Sequence, residues 1–445
     1  MKNKPIKVGF VSLGCSKNLL DTEVMLKMLA DAGYEITPEE SEADVVIVNT
    51  CAFIESAKRE SIDSILDVAW LKENANLKAI VVTGCMAERY RDEVLQEMPE
   101  VDAILGVGGI DHIVEAVGAA LEKKPFSLFP DKEAGPLGGD RIVTTGDAMA
   151  YIKVAEGCNN RCTYCAIPGI RGKMRSRTIE DVVKEAKELD EMGIKELVVV
   201  AQDTSAYGLD IYGHYALPEL LRALTAETNI PWIRLLYCYP DKITDELIAE
   251  IASNERVVKY LDIPVQHISD SVLRRMNRHG DSAMIRDAIT RLRKGVPGIV
   301  LRTTLIVGFP GETEEDFSEL CLFVRDAKFE RLGAFTYSRE EDTPAYDMPD
   351  QIDEDVKQKR LDVVMKEQLK NSERFNKMRI GRKVRVLVEG FDEVSEAYFG
   401  RSAADAPDID GKVYFISKNK YPEGTFVDLR ITEALDYDLV GEVVS

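Results

Sequence analysis

The first quarter of the chain is punctuated by four short, largely apolar runs, at residues 7–11, 45–48, 79–82 and 103–105. Helical patterns lie between and after them, over about 19–32 and 56–70, from about 87, and up to about 121. A strand that is apolar on both faces needs cover on both sides. A helix between successive strands makes their connection parallel. Residues 5–122 are therefore expected to form an α/β domain whose parallel sheet is covered on both faces.

The remaining chain divides by composition. Residues 123–149 carry Pro125, Pro130, Gly135, Pro136, Gly138 and Gly139 and read as a wandering surface segment, with 123–143 as a linker. From 144 to 376, strand-like runs recur at 151–155, 197–201, 233–237, 260–264, 301–307 and 334–337, with helices between. Six βα units suit a partial (βα)6 barrel of TIM type, with its active site at the C-terminal ends of the strands. A charged helix is expected over 353–378, packing through Val356, Leu361, Val364, Met365 and Leu369. In 378–445, short alternating strands at 383–388, 412–416 and 426–431 fit a small antiparallel β-barrel. Three domains suit a chain of 445 residues.

The net charge of −21 opposes indiscriminate binding to phosphates and favours basic partners. No apolar stretch is long enough to span a membrane, and the N-terminus lacks the pattern of a secretory signal. A cytoplasmic chain is expected, in which thiols stay reduced. The eight cysteines then read as metal ligands, catalytic thiols or core residues, not disulfides.

The most specific spacing is Cys158-x3-Cys162-x2-Cys165, directly after the first barrel strand. Three thiolates in a short loop can hold three irons of a 4Fe–4S cube and leave the fourth iron open, as metal-centred catalysis requires. A structural zinc knuckle would call for a second ligand pair close by, and the sequence offers none. A second constellation follows from topology. Cys15, Cys51 and Cys85 each lie just after one of the first three strands. Loops after parallel strands converge on one sheet edge, so these three can form another three-thiolate site; the alternative is three separate buried cysteines. Cys238 and Cys321 sit alone in apolar surroundings and read as core residues.

With these residues in view, the chain resembles, over essentially its whole length, the methylthiotransferases of the radical-SAM superfamily. Gly14-Cys15-Ser16-Lys17-Asn18, Ala166-Ile167-Pro168-Gly169-Ile170-Arg171-Gly172, Ala201-Gln202-Asp203-Thr204, Leu261-Asp262-Ile263-Pro264-Val265-Gln266-His267 and Phe335-Thr336-Tyr337-Ser338 are most similar to the branch that modifies an aspartate of the twelfth small-subunit ribosomal protein. Ser16, where the family would have proline, and Cys238, where an aliphatic residue is usual, depart from the pattern at positions outside the proposed ligands. The resemblance implies a flavodoxin-like N-terminal sheet, a radical-SAM core barrel and a C-terminal TRAM module. It also implies two 4Fe–4S clusters, one on Cys158, Cys162 and Cys165 and one on Cys15, Cys51 and Cys85.

The activity so implied is addition of a methylthio group to the β-carbon of an aspartate, with S-adenosylmethionine (SAM) as radical source and methyl donor. A radical is needed because that C–H bond is unactivated. The expected partners are the ribosomal protein, alone or within the ribosome, and an external one-electron reductant, with the chain acting as a monomer. Residues 378–445 carry nine basic and thirteen acidic side chains, a balance that suits a basic protein better than tRNA. A tRNA adenosine methylthiotransferase and a zinc-stabilised RNA-binding scaffold remain the rival readings. Three weaker features stay open between chemistry and structure. Val307–Glu312 is either a SAM-approaching turn or a plain strand-to-helix turn. Arg171, Lys173, Arg175 and Arg177 either bind a carboxylate or form a solvated run. Gln266 and His267 end a strand on the expected catalytic face.

Overall fold

The computed structural model describes residues 5–444. The chain packs as two compact units. One comprises the residues up to 144 together with Ala155–Arg177 and Ser338–Tyr346. The other comprises Thr145–Val154, Thr178–Tyr337 and the chain from Asp347 onward.

The first unit is built on six parallel strands: β1 (Lys7–Ser12), β2 (Glu35–Ile36), β3 (Val45–Thr50), β4 (Ala79–Gly84), β5 (Ala103–Leu105) and β6 (Phe126–Leu128). Their order is 2-1-3-4-5-6, the flavodoxin-like arrangement. The helices are α1 (Ser16–Asp31), α2 (Glu55–Asn74), α3 (Cys85–Tyr90), α4 (Asp92–Glu97) and α5 (Ile113–Leu121). Every residue of β3 and β4 is buried, and alternate residues serve opposite faces. Val46, Val48, Ile80 and Val82 pack with Ile65 and Val68 of α2; Val45, Ile47 and Val81 pack with Met25 of α1 and Ile113 of α5. The edge strands β2 and β6 are two and three residues long, too short for a periodic pattern to expose.

The segment read as a wandering linker is anchored. It contains β6, and Glu23 of α1 takes hydrogen bonds from the Thr144 amide (2.6 Å) and the Thr144 hydroxyl (2.9 Å) while pairing with Arg141.

The second unit begins with β7 (Met149–Lys153). The chain then contributes the antiparallel pair β8 (Ala155–Glu156) and β9 (Arg175–Ser176), with α6 (Ile167–Arg171) between them, to the first unit. The strands β10 (Glu196–Val200), β11 (Trp232–Leu235), β12 (Val257–Asp262), β13 (Val300–Val307) and β14 (Arg331–Thr336) join β7 in sequential, all-parallel order, which is the expected six-stranded partial barrel. Cys238 is fully buried here. Cys321 is only half-buried, on the helix Glu314–Ala327.

Five strands, β15 (Lys383–Asp392), β16 (Ala397–Ser402), β17 (Val413–Phe415), β18 (Phe426–Ala434) and β19 (Leu439–Val443), close into the C-terminal barrel. The sequence suggested antiparallel pairing throughout, but β17 and β19 are parallel. The last strand returns beside β17 after pairing with β18, which leaves no edge exposed. The helix Glu354–Lys377 also differs from expectation. Of the five residues expected to pack it, only Val364 is fully buried. The rest of the buried seam is polar: Lys357, Arg360, Gln368, Ser372 and Asn376. Lys357 donates to the Tyr337 carbonyl and Gln368 to the Phe329 carbonyl, so burial costs these groups no hydrogen bonds. Among the described residues, no helix is long and apolar enough to cross a membrane.

Buried charges join the partial barrel to the C-terminal barrel within this unit. Glu196 accepts from Arg234 Nε (2.6 Å) and Arg401 Nη2 (2.6 Å), and all three side chains are essentially inaccessible. Tyr260 donates to Asp410 (2.7 Å), and Asp405 pairs with Arg331 and lies 3.7 Å from Arg379. Burial pushes the Asp405 carboxyl up, but Arg331 and Arg379 overcome it and hold the group down to about 2. That lies below its ordinary 3.8, so the stabilisation is complete above about pH 4 and disappears as the pH falls through 2. Thermal melts between pH 5 and pH 2 should show a loss on the order of 2 kcal/mol from this group, absent in Asp405→Asn.

Candidate functional site: two cysteine sets in one unit

Three adjacent strands of the first sheet, β1, β3 and β4, deliver Cys15, Cys51 and Cys85 to one edge. Thr50 and Gly84 are register partners, so Cys51 and Cys85 leave the sheet side by side. Cys15 is the N-cap residue of α1, and Cys85 is the first residue of α3. Gly14, at φ +88°, presses its backbone against the Cys51 thiol: a β-carbon there would lie 2.9 Å from Sγ.

Asn18 ties the loops together. Its Nδ2 donates to the Leu13 carbonyl (2.8 Å) and the Thr50 carbonyl (2.9 Å). Cys51 and Cys85 are buried, whereas Cys15 is exposed. Burial pushes the Cys85 thiol up to about 12; Cys15 and Cys51 add to the rise, and Arg171 opposes it. Burial likewise raises Cys51, with Cys15 adding to the effect. The three thiols thus share one electrostatic environment. Even so, among the described residues no three Cys, His, Asp or Glu side chains are disposed, as they stand, to hold a metal ion.

The second set lies in the same unit. The β8–β9 pair pins both ends of its loop, with Glu156 opposite Arg175. The Cys158 amide donates to the Gly172 carbonyl (3.1 Å), and the Cys165 amide to the Cys162 carbonyl (3.1 Å). Asn160 Nδ2 lies 3.4 Å from the Cys158 sulfur. Gly157, at φ +78°, passes so close to the returning strand that a β-carbon would sit 2.1 Å from the Lys173 carbonyl oxygen. Cys158 and Cys162 are buried, and Cys165 is half-buried. The segment Ser338–Tyr346 docks here. The Ala345 amide donates to the Thr163 carbonyl (2.9 Å), and Glu340, 1% exposed, takes Arg89 at 2.9 Å and Lys58 at 3.5 Å.

None of the eight cysteines is in a disulfide. Soft thiolates, three in each set and without a carboxylate or histidine in the loops carrying them, are the donors iron–sulfur clusters use. The donor chemistry therefore fits two clusters, each with one iron left without a cysteine.

Residues 7–106 match the uncharacterized protein family UPF0004, residues 152–324 the radical SAM superfamily, and residues 380–444 the TRAM domain. A protein named ribosomal protein uS12 methylthiotransferase RimO, from Acetivibrio thermocellus, is 51% identical over 447 residues, covering 99% of this chain and 98% of that one. One of the same name from Clostridium perfringens is 51% identical over 441 residues, covering 98% of each. This chain belongs to the RimO family. Membership of the radical SAM superfamily implies SAM and a 4Fe–4S cluster. Among solved structures, the radical S-adenosylmethionine methyltransferase TsrM of Kitasatospora setae shares the fold, with a TM-score of 0.57 at 16% identity over 77% of each chain.

Against this RimO-family background, the features left open by the sequence can be placed. The basic run is not a solvated loop. Arg171 and Arg177 are buried, Arg175 donates to the Gly135 and Lys132 carbonyls, and only Lys173 is exposed. Arg171 takes a position that the sequence did not disclose. Its Nη1 donates to Asp21 (2.6 Å) and Glu156 (3.1 Å), and its Nη2 to Asn18 Oδ1 (2.6 Å), with the Cys85 sulfur at 3.6 Å.

In the second unit, the turn after β13 is held by Glu312, whose Oε2 accepts from the Gly308 and Phe309 amides and whose Oε1 accepts from Arg360. Burial raises this carboxyl to about 7, against the pull of Arg360 and the two amides. His267 is wholly buried and accepts from the Ser269 amide, and burial lowers it to about 4, so the imidazole is neutral near pH 7.

Proposed function

We propose that this chain is a methylthiotransferase that adds a methylthio group to the β-carbon of an aspartate in the twelfth small-subunit ribosomal protein. It acts as a cytoplasmic monomer fed by an external one-electron reductant. Cys158, Cys162 and Cys165 hold the cluster that engages SAM; Cys15, Cys51 and Cys85 hold a second. When bound, the first supplies the electron that cleaves SAM reductively, and the second supplies sulfur. The observation that carries this reading is the presence of both cysteine sets in one compact unit of a RimO-family chain.

The protein's own groups bind and shield. The β8–β9 pair and the Cys158–Gly172 and Cys165–Cys162 backbone bonds fix the backbone of the cluster loop. No fourth cysteine or histidine occurs between Cys158 and Arg175, which leaves an open position for SAM. Ser338–Tyr346 docks on the loop through the Ala345–Thr163 backbone bond.

Charge supports a protein substrate. Of the charged side chains in 378–445, Arg379, Arg401, Asp405 and Asp410 are buried in ion pairs, two of each sign. The outward balance stays acidic, which suits a basic protein and opposes a grip on tRNA phosphates.

The decisive experiment is a competition. The clusters are rebuilt without oxygen, and SAM, a low-potential reductant, the ribosomal protein and bulk tRNA are supplied together. Mass spectrometry should find one methylthio group on an aspartate-containing peptide. A methylthio group on tRNA nucleosides would replace this reading with the tRNA one. Colourless protein carrying zinc would replace it with the scaffold reading.

A further inference from the structure

Arg171 occupies an unusual position for a basic residue. It ends α6, six residues beyond Cys165, and its side chain is 3% exposed. The guanidinium points into the N-terminal sheet edge. Asn18 and Asp21, which it grips, lie on α1 just beyond Cys15; Asn18 in turn holds the carbonyl of Thr50, the residue before Cys51. Nη2 faces the Cys85 sulfur directly, while Nη1 reaches back to Glu156, two residues before Cys158. One side chain therefore touches or abuts the supports of four of the six proposed ligands: Cys85, Cys15, Cys51 and Cys158. The adjoining cavity, lined by Asp21, Glu156, Arg171 and Arg175, holds about 10 Å³, so little solvent is present to screen its charge.

We propose that Arg171 is a positioning residue that couples the two cysteine sets: it holds α1 and Cys85 in register with the Cys158 loop and stabilises negative charge on the group ligated by Cys85. This rests on the reading of Cys15, Cys51 and Cys85 as cluster ligands. A guanidinium is permanently charged, and its flat fork can serve the carboxylates of Asp21 and Glu156 while presenting an N–H to sulfur. A positive charge and an N–H···S contact at a ligating sulfur both favour the more reduced cluster, so the residue raises the reduction potential of that site. A strut without electrostatic influence would leave the potential where it is.

The test is a redox titration, followed by electron paramagnetic resonance, of the full chain rebuilt with iron and sulfide. The signal of the N-terminal site is identified in a chain with Cys158, Cys162 and Cys165 replaced by alanine. In Arg171→Gln, the expected result is full iron content and a more negative midpoint potential at the N-terminal site, with more SAM cleaved per methylthio group transferred. Arg171→Lys keeps the charge but loses the nitrogen that reaches Cys85, and shifts the same way by less. It serves if the glutamine variant fails to fold. An unchanged potential in either folded, iron-loaded variant overturns the inference. If the triple-alanine chain takes up no iron at all, the two-cluster reading has failed, and this inference falls with it.

Discussion

Replacing Cys85 with alanine should leave a protein that still converts SAM to 5′-deoxyadenosine under reduction yet adds no methylthio group to its substrate; replacing Cys162 should abolish both. The asymmetry follows from how the two sets are held. The Cys158 loop is fixed by the β8–β9 pair and by its own backbone bonds to Gly172 and within 162–165, none of which involves the thiol of Cys85. Cys85 begins α3 at the end of β4, and its loss removes a donor from the N-terminal set alone. Liquid chromatography of the nucleoside, run beside mass spectrometry of the substrate peptide, reads the two outcomes from one reaction. Equal loss of both products in Cys85→Ala would mean that the sets do not have separate roles.

The largest expected effect on stability lies far along the chain from these cysteines. Glu196 is the only carboxylate hydrogen-bonded to Arg234 among the described residues, and it also takes Arg401. Glu196→Ala leaves the buried Arg234 guanidinium without a carboxylate and takes one of two from Arg401, which keeps Glu389. Breaking a buried pair in this way costs roughly 3–5 kcal/mol. Glu196→Gln keeps one acceptor and should cost less. Urea unfolding followed by circular dichroism checks both. An exposed pair such as Lys27–Asp31 is the control, where Asp31→Ala should change stability by less than about 0.5 kcal/mol.

Much of this architecture is legible from local pattern. Apolar runs over 45–48 and 79–82 could be little but central parallel strands, and the position of Cys51 and Cys85 directly after them puts both thiols at one sheet edge without coordinates. Elements that depend on a distant partner are not legible in this way. Glu35–Ile36 is a strand only because β1 lies beside it. The segment around 141–144 is ordered because Glu23 is there to receive it. The seam of Glu354–Lys377 is polar because carbonyls of Tyr337 and Phe329 happen to face it. Arg171 shows the limit most clearly. In the string Arg171-Gly172-Lys173-Met174-Arg175 the buried cation and the exposed one look alike, and only Asp21, 150 positions earlier, tells them apart.

The first unit is assembled from three separate stretches of chain, the last of them Ser338–Tyr346. Synthesis is vectorial, and this imposes a timetable. Cys15, Cys51 and Cys85 leave the ribosome early and can take up their sheet while most of the protein does not yet exist. The Cys158 loop arrives next but stays uncovered until Glu340 can reach Arg89 and Ala345 can reach Thr163. Through that interval the thiols of the Cys158 loop lack this cover against oxidants and competing metals. The nascent chain thus passes through a period of chemical vulnerability that ends only when about three-quarters of it has been made.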